Sequence, residues 1–350
     1  MARRRLEAAI RAGRAIDDKE AKTEGVFTKL IPLRDIDITS AFSGVYSLQF
    51  SHDGEMLAVG CGNGGVLLYS TSTGGMVKTL HKGGRMELPV MGLSFHPSHR
   101  DELVAVGADG SVTTWNVDNC HKKLANKEKN NEINALDFSL DGDVYATAGK
   151  DLCVRIYDAE THELLQMYEG SNQLLLEEDD VNDFGHGRRV FALKFHPDDN
   201  NIFVTGGWDN CLKVWDKRTN HGVQRTIGGP HVCGNGIDIK AGKILTASWV
   251  AKDALQVWDM ATGRLEQSVP LSGSDKSGEF LYCAQFCDSN VVVAGGSGMC
   301  SAQAINRTTN KVLGVVDLNG KTVQALDSTD GGRFIAVAGA SPIIKLAQLA

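Results

Sequence analysis

One short pattern recurs along the chain and constrains its fold more than any other feature. Apolar and variable residues alternate at period two over six residues, as in a β-strand with one buried face. The four clearest copies are Val45–Phe50, Val90–Phe95, Ile133–Phe138 and Val190–Phe195. Weaker copies end at Ile239, Phe286 and Ser328, so successive copies lie 45, 43, 57, 44, 47 and 42 residues apart. A period of about 40–45 residues indicates seven copies of one supersecondary unit.

Each copy is followed by the same order of elements. A polar turn such as Ser51–Gly54 leads to a second strand, and a tight Gly/Asp turn leads to a third strand that ends in an aromatic residue. These aromatic ends are Tyr69, Trp115, Tyr157, Trp215 and Trp258. A fourth short strand, such as Met76–Leu80, completes the unit. Four antiparallel strands repeated seven times predict an all-β, seven-bladed β-propeller over residues 25–350, a ring that leaves only short exposed edges.

The seventh copy lacks a fourth strand, because the chain ends after a third strand at residues 343–349. We expect the missing strand to come from the other end of the chain, where Val26–Ile31 and its continuation to Ile38 have strand character. The propeller is therefore predicted to be closed by an N-terminal strand.

The fourth copy carries a distinctive set of polar residues. Gly185-His186, Thr205, Asp209 and Trp215-Asp216 resemble the most regular form of a WD repeat, and the resemblance covers roughly residues 26–350. In that family the His, the Ser/Thr, the turn Asp and the Trp share a chain of hydrogen bonds. The resemblance therefore implies a structural network of His186, Thr205, Asp209 and Trp215, and not a catalytic pair. Other copies keep only part of this set.

The resemblance also implies where partners dock. In such propellers the loops from strand four to strand one, and from strand two to strand three, share the narrower face. On this chain that face is expected to carry Phe42, Lys150, Arg188, Arg189, Trp208, Trp249 and Phe280. Trp and Arg are enriched in interface hot spots. Trp208 and Trp249 occupy equivalent turns of adjacent blades, where they either form a paired platform or each pack on a neighbouring loop.

The 57-residue interval contains an insertion at residues 171–189. Its sequence is apolar at Leu174–Leu176 and acidic at Glu177–Asp180. Long loops in compact domains are usually functional or disordered. We favour a partner contact over a merely solvated loop.

Residues 1–24 have a different composition from the rest of the chain. They are rich in helix formers and carry a basic cluster of Arg3, Arg4, Arg5, Arg11 and Arg14. The apolar stripe is too short to fold alone, so we expect a basic helical arm that orders on an acidic surface such as tubulin, an acidic protein or RNA. A solvated tail and a transit peptide are the alternatives.

Composition argues against several functional classes. The net charge of −7 disfavours a general nucleic-acid binder, and the sequence has neither a membrane span nor a secretory signal. The simplest compartment is therefore a reducing one: the cytoplasm, the nucleus or the cytoplasmic side of an organelle, of which we expect the cytoplasm. His231 and Cys233, with Cys283 and Cys287, are residue types that can bind a metal ion. However, free cysteines at such strand positions are usually buried. No catalytic motif is present, so no enzyme, metal site or cofactor is predicted.

The sequence thus predicts a non-catalytic scaffold or adaptor that binds other proteins in a larger assembly. Two alternatives remain: a subunit similar to G-protein β, which also has a helix before seven blades, and an RNA-associated subunit that binds through the arm. The stretch from Gly229 to Asp259 also resembles single-propeller proteins of ciliated eukaryotes. A microtubule-associated or ciliary setting is a further hypothesis.

Overall fold

The computed structural model describes residues 27–170, 185–273 and 277–350. These residues form 28 strands, numbered in chain order, and one 3-10 helix at Ser40–Phe42. The first strand, β1 (Leu30–Asp37), belongs to the last blade. Blade 1 contains β2 (Val45–Phe50), β3 (Met56–Cys61), β4 (Val66–Ser70) and β5 (Met76–His81). Blade 2 contains β6 (Val90–Phe95), β7 (Glu102–Gly107), β8 (Ser111–Asn116) and β9 (His121–Lys127). Blade 3 contains β10 (Ile133–Phe138), β11 (Val144–Gly149), β12 (Val154–Asp158) and β13 (Leu164–Tyr168).

The second half repeats this arrangement. Blade 4 contains β14 (Val190–His196), β15 (Asp199–Gly207), β16 (Cys211–Asp216) and β17 (Val223–Gly228). Blade 5 contains β18 (Ile237–Lys240), β19 (Lys243–Ala247), β20 (Leu255–Asp259) and β21 (Leu265–Ser268). Blade 6 contains β22 (Leu281–Phe286), β23 (Val291–Gly296), β24 (Ser301–Asn306) and β25 (Lys311–Asp317). Blade 7 contains β26 (Val323–Thr329), β27 (Phe334–Gly339) and β28 (Ile343–Leu349), followed by β1.

The seven sheets form a closed ring. The first strand of every blade contacts the first strands of the blades on either side, and β26 of blade 7 contacts β2 of blade 1. The seven-bladed all-β fold predicted from the repeat is therefore confirmed. The apolar core lies between blades, as where Val154 and Ile156 of blade 3 pack with Phe203 and Trp215 of blade 4.

The ring closes through the two ends of the propeller. β1 pairs antiparallel with β28, from Leu30 opposite Leu349 to Asp37 opposite Ile343. The register shifts between Pro32 and Arg34, which suits an outermost strand because proline has no N–H to donate to a ladder. The predicted closure is confirmed, with the strand at Leu30–Asp37; Val26, where the predicted strand begins, lies outside the described residues.

Two predicted regions fall outside the described residues. The basic arm at 1–24 is one, and the apolar–acidic part of the insertion at 171–184 is the other. Within the part of the chain that the structure describes, no helix has the length and hydropathy needed to cross a membrane.

Polar side chains fasten the innermost strands to one another. Asp137 accepts a hydrogen bond from the backbone N–H of Phe195 in the next blade at 2.8 Å. Asp327 of blade 7 does the same for Phe50 of blade 1 at 2.7 Å. The ring is thus held by hydrogen bonds between blades as well as by apolar packing, which fixes the loops above it.

Candidate functional site

Blade 4 contains one continuous chain of side-chain hydrogen bonds. The Trp215 indole donates to the Thr205 hydroxyl at 2.7 Å, and that hydroxyl lies 2.6 Å from His186 Nε2. His186 Nδ1 lies 2.7 Å from Asp209 Oδ2, which also accepts from the Gly187 N–H at 3.0 Å. These donors and acceptors agree if the neutral His186 ring carries its proton on Nδ1. The chain joins the loop before β14 to β15, to the turn after it, and to β16.

The electrostatics of this chain fit a scaffold. Burial raises the pKa of Asp209, but the hydrogen bond and charge of His186 and the N–H of Gly187 outweigh it, so the net pKa lies below the usual value. His186, Asp209 and Cys211 place their ligand atoms within 4.8 Å of one another, close enough for a metal ion. However, both ring nitrogens of His186 already face Thr205 and Asp209. We therefore interpret the cluster as part of the framework.

Blade 3 closes the same space with different chemistry. Glu128 accepts hydrogen bonds from Thr147 at 2.6 Å and from Tyr157 at 3.0 Å. Arg155 then links Glu128 to Asp151, at 3.0 and 2.5 Å. Glu128 was missed in the sequence, although its position offers a signal: it lies five residues before β10, much as His186 lies four residues before β14.

The first exposed tryptophan along the chain is Trp208, in the turn between β15 and β16. Its side chain is 39% exposed, and its ring packs on Phe191 with the ring centroids 5.1 Å apart. The Arg189 guanidinium lies 5.6 Å from the centroid of the Trp208 ring, within the range of a cation–π contact. The indole N–H donates to Cys233 Sγ at 3.0 Å. Trp208 is therefore held in place while part of its face remains open.

A charged network borders this ring. Arg189 donates to Glu132 at 2.6 Å, and Lys150 pairs with the other carboxylate oxygen of Glu132. The hydrogen bond from Lys150, together with Arg189, holds the pKa of Glu132 below its usual value despite some burial. Arg188 beside it is exposed. The predicted residues Lys150 and Arg189 thus share Glu132, and Arg189 also contacts Trp208.

The second exposed tryptophan is Trp249, in the turn between β19 and β20. It is 41% exposed and packs on Phe280, with the ring centroids 5.0 Å apart. Its backbone N–H donates to the His231 carbonyl at 2.8 Å. Phe280 has a φ of 43°, a conformation that is unusual for a bulky residue and that clusters at functional sites.

The loop at residues 229–236 joins the two tryptophans. Its Cys233 accepts from Trp208, and its His231 carbonyl accepts from Trp249. We call Arg189, Trp208, Cys233, Trp249 and Phe280 the top-face patch.

The predicted surface residues contact different parts of the propeller. Trp208 packs on Phe191 and Trp249 packs on Phe280, so each tryptophan has its own aromatic neighbour. The loop at residues 229–236 lies between them. Phe42 lies in the 3-10 helix before blade 1, half-buried against the core between blades 7 and 1.

The residues weighed as metal ligands do not converge. His231 Nδ1 lies 2.6 Å from Asn210, and Cys233 is occupied by Trp208. Cys283 and Cys287 belong to the buried core between blades 6 and 7, and burial raises the pKa of the Cys283 thiol to about 12. Such thiols are fully protonated near neutral pH and pack as small apolar groups.

Two family models match three separate parts of the chain. The model described as "WD domain, G-beta repeat" matches residues 119–158 and 180–216, and the model "Anaphase-promoting complex subunit 4 WD40 domain" matches residues 36–96. The chain is a WD-repeat β-propeller. These matches cover the four strands of blade 1, the first and last strands of blade 2, and the first three strands of blades 3 and 4. The ring topology accounts for the remaining blades.

Curated relatives share the repeat at low identity. U3 small nucleolar RNA-associated protein 21 of Saccharomyces cerevisiae is 24% identical over 90% of this WD-repeat propeller. WD repeat-containing protein slp1 of Schizosaccharomyces pombe is 23% identical over 72%, and WD repeat-containing protein 55 homolog of Drosophila persimilis is 28% identical over 40%. The chain spans 30%, 48% and 25% of these three proteins, respectively.

Membership in this family has a general functional consequence. WD-repeat propellers typically serve as non-catalytic scaffolds that bind other proteins in complexes. The top-face patch and the buried network divide accordingly: the network holds the blades, and the patch presents side chains that a partner can contact.

Proposed function

We propose that this propeller is a non-catalytic adaptor and that the top-face patch is its docking surface for a protein partner. The observation that carries the proposal is the pair of supported, partly open tryptophans. Trp208 and Trp249 are 39% and 41% exposed, yet each is fixed by an aromatic neighbour and by hydrogen bonds to one loop. Large side chains that are ordered before binding lose little conformational entropy when a partner covers them.

The chemistry of the patch suggests the character of the partner. The Trp249 indole N–H has no hydrogen-bond partner among the described residues, so it is available to a partner's acceptor. Arg189 adds positive charge beside Trp208 and shares Glu132 with Lys150, so its charge is balanced in part. Arg188, its neighbour in the sequence, is exposed. We infer a partner segment with an apolar centre and flanking carboxylates, which would be steered by charge and anchored by the aromatic rings.

Proximity labelling in the native cell tests this proposal. Four versions are compared: wild type, Trp249→Ala, a deletion of residues 1–24, and the control Leu165→Ala. Leu165 is 58% exposed on the outer strand β13, so its substitution removes exposed apolar area away from the patch. We expect a dominant neighbour to disappear with Trp249→Ala and to persist in the control. A neighbour unaffected by Trp249→Ala would refute the docking surface.

The arm deletion in the same experiment tests a second candidate. A relative matching 90% of this chain is named as an RNA-associated protein, and five arginines lie in the arm. An RNA-associated subunit that binds through the arm would lose its neighbours on deletion of residues 1–24 and on ribonuclease treatment. Its RNA affinity would also fall steeply with salt.

The basic arm also suggests where the protein is located. We propose a cytoplasmic protein, with the cilium and the microtubule surface as the more specific setting for the arm. Imaging of the tagged chain in ciliated cells checks this setting. Unchanged cytoplasmic distribution after removal of the cilia would argue against it.

A further inference from the structure

A cavity of about 570 Å³ lies between blades 1 and 2. That volume is within the range of small-ligand sites, about 300–1,000 Å³. Trp115 lines the cavity and is 8% exposed, and its indole nitrogen is buried with no hydrogen-bond partner in the described chain. A buried N–H without an acceptor lowers stability by about as much as a lost hydrogen bond. A ligand that accepts a hydrogen bond from the Trp115 N–H would remove this cost. We call this cavity the blade 2 pocket.

The missing acceptor follows from one residue of β7. Ala105 pairs with Thr113 in the register in which Thr205 pairs with Lys213 and Thr246 pairs with Gln256. In blades 4 and 5 that threonine accepts from the tryptophan of the third strand, at 2.7 and 3.0 Å. Because Ala105 has no hydroxyl, the Trp115 N–H has no acceptor at this position.

The empty volume has a second cause in the loop before β6. Met86 lies four residues before Val90, as the buried His186 lies four residues before Val190. Met86 is 95% exposed and turned out to solvent. Blade 2 therefore lacks both the acceptor and the side chain that would fill the space.

The two carboxylates that line the blade 2 pocket, Asp109 and Glu87, already have partners in the structure. Lys122 and Lys127 line the pocket, and Lys127 lies 3.6 Å from Asp109. The His81 ring stacks over Trp115 at 6.2 Å and shares a 2.7 Å contact with Glu87. Both side chains of that contact are more than two-fifths exposed, at 42% and 46%, so they can move aside at little cost.

We propose that the blade 2 pocket binds an acidic side chain on a linear peptide of a partner protein. The carboxylate accepts the Trp115 N–H and pairs with Lys122 and Lys127. Apolar residues of the peptide that flank the acid cover Met86 and Leu88, which are 95% and 50% exposed at the mouth. The site is formed by blades 1 and 2, whereas the top-face patch is formed by blades 4 to 6, so the two surfaces can act separately.

A matched variant is available within the fold. Ala105→Thr places a hydroxyl where Thr205 and Thr246 have theirs, so it supplies the Trp115 N–H with an internal acceptor. A displayed library of random nonapeptides is selected on the immobilised full chain and counter-selected on Ala105→Thr. We expect the enriched peptides to contain Asp or Glu and to bind Ala105→Thr about tenfold or more weakly, the loss typical of one hydrogen bond to a charged group.

Two further measurements locate the binding. The chain has five tryptophans, and Trp115→Phe assigns the Trp115 indole N–H resonance. A selected peptide should move that resonance and leave those of Trp208 and Trp249 in place. Lys122→Gln with Lys127→Gln should also weaken binding, which covers the case in which Ala105→Thr fails to fold.

Three results would overturn the proposal. One is that no peptide distinguishes wild type from Ala105→Thr or from the double lysine variant. Another is that the distinguishing peptides carry no acid. The third is that they shift only Trp208 or Trp249, which would place their site on the top-face patch.

Discussion

Blades 2 and 4 share one strand skeleton and differ in what fills it. Leu103 pairs with Trp115 in blade 2 as Phe203 pairs with Trp215 in blade 4. The hydrogen-bond chain is complete in blade 4, but in blade 2 it lacks its threonine and its histidine. A blade therefore folds from its apolar strand pattern alone, and the polar chain decides whether the space between blades is closed.

The largest difference between the two blades should come from the turn aspartates. Asp209→Ala leaves the N–H groups of His186 and Gly187 without their acceptor inside the protein. We expect the free energy of unfolding to fall by about 3 kcal/mol, since each unpaired buried group costs about 1–3 kcal/mol. Asp109→Ala, at the same turn of blade 2, removes a part-exposed group and should cost under about 1 kcal/mol. Urea denaturation of both variants checks this contrast, and equal losses would contradict it.

A smaller loss is expected when blade 4 is made to resemble blade 2. Thr205→Ala removes the hydroxyl between Trp215 and His186, and we expect a loss of about 2 kcal/mol. The indole N–H of Trp215, followed by NMR, should then lose the shift of a hydrogen-bonded group. An unchanged resonance would show that Thr205 is not the acceptor.

The reverse change should stabilise blade 2. Ala105→Thr gives the Trp115 N–H an acceptor, and we expect a gain of about 1 kcal/mol, the net value of one hydrogen bond. The denaturation midpoint measures this gain, and Ala105→Ser is the control for the added methyl group. A loss of stability in both variants would mean that the register equivalence with Thr205 is wrong.

The smallest effect concerns pH, because protonation removes the charge of Asp209 but leaves its oxygens. The folded-state pKa of Asp209 lies below its usual value. Its contribution is thus fully present above about pH 4 and is lost as the pH falls through the folded-state pKa. The stability difference between wild type and Asp209→Ala should be flat from about pH 5 to 8 and shrink below about pH 4. A difference that shrinks between about pH 5 and 8 would contradict this assignment to Asp209.

The strand skeleton was predictable because a period-two pattern and turn residues act locally. The same pattern located the closing strand, since the seventh repeat visibly lacked its fourth strand. Glu128 was not predicted: its position five residues before β10 matches that of His186 only approximately, and its ion pair with Arg155 is visible only in the structure. The orphaned indole of Trp115 likewise depends on a register that places Ala105 opposite Thr113.

The positions of the two exposed tryptophans were predictable from the sequence, but their contacts were not. Loop positions placed Trp208 and Trp249 on one face, as the structure shows them in equivalent turns. Their supports, Phe191, Cys233 and Phe280, come from three separate loops or strands, and side-chain packing between distant segments leaves no periodic trace in the sequence.

The docking role of the top-face patch is tested by measuring the affinity of the propeller for its partner. The dissociation constant of the dominant neighbour from proximity labelling is measured by calorimetry with the purified full chain, with Trp249→Ala and with Leu165→Ala. We expect Trp249→Ala to weaken binding by about 30-fold or more, as for a hot-spot residue at about 2 kcal/mol, and Leu165→Ala to leave binding unchanged. A change of less than about twofold with Trp249→Ala would contradict the claim.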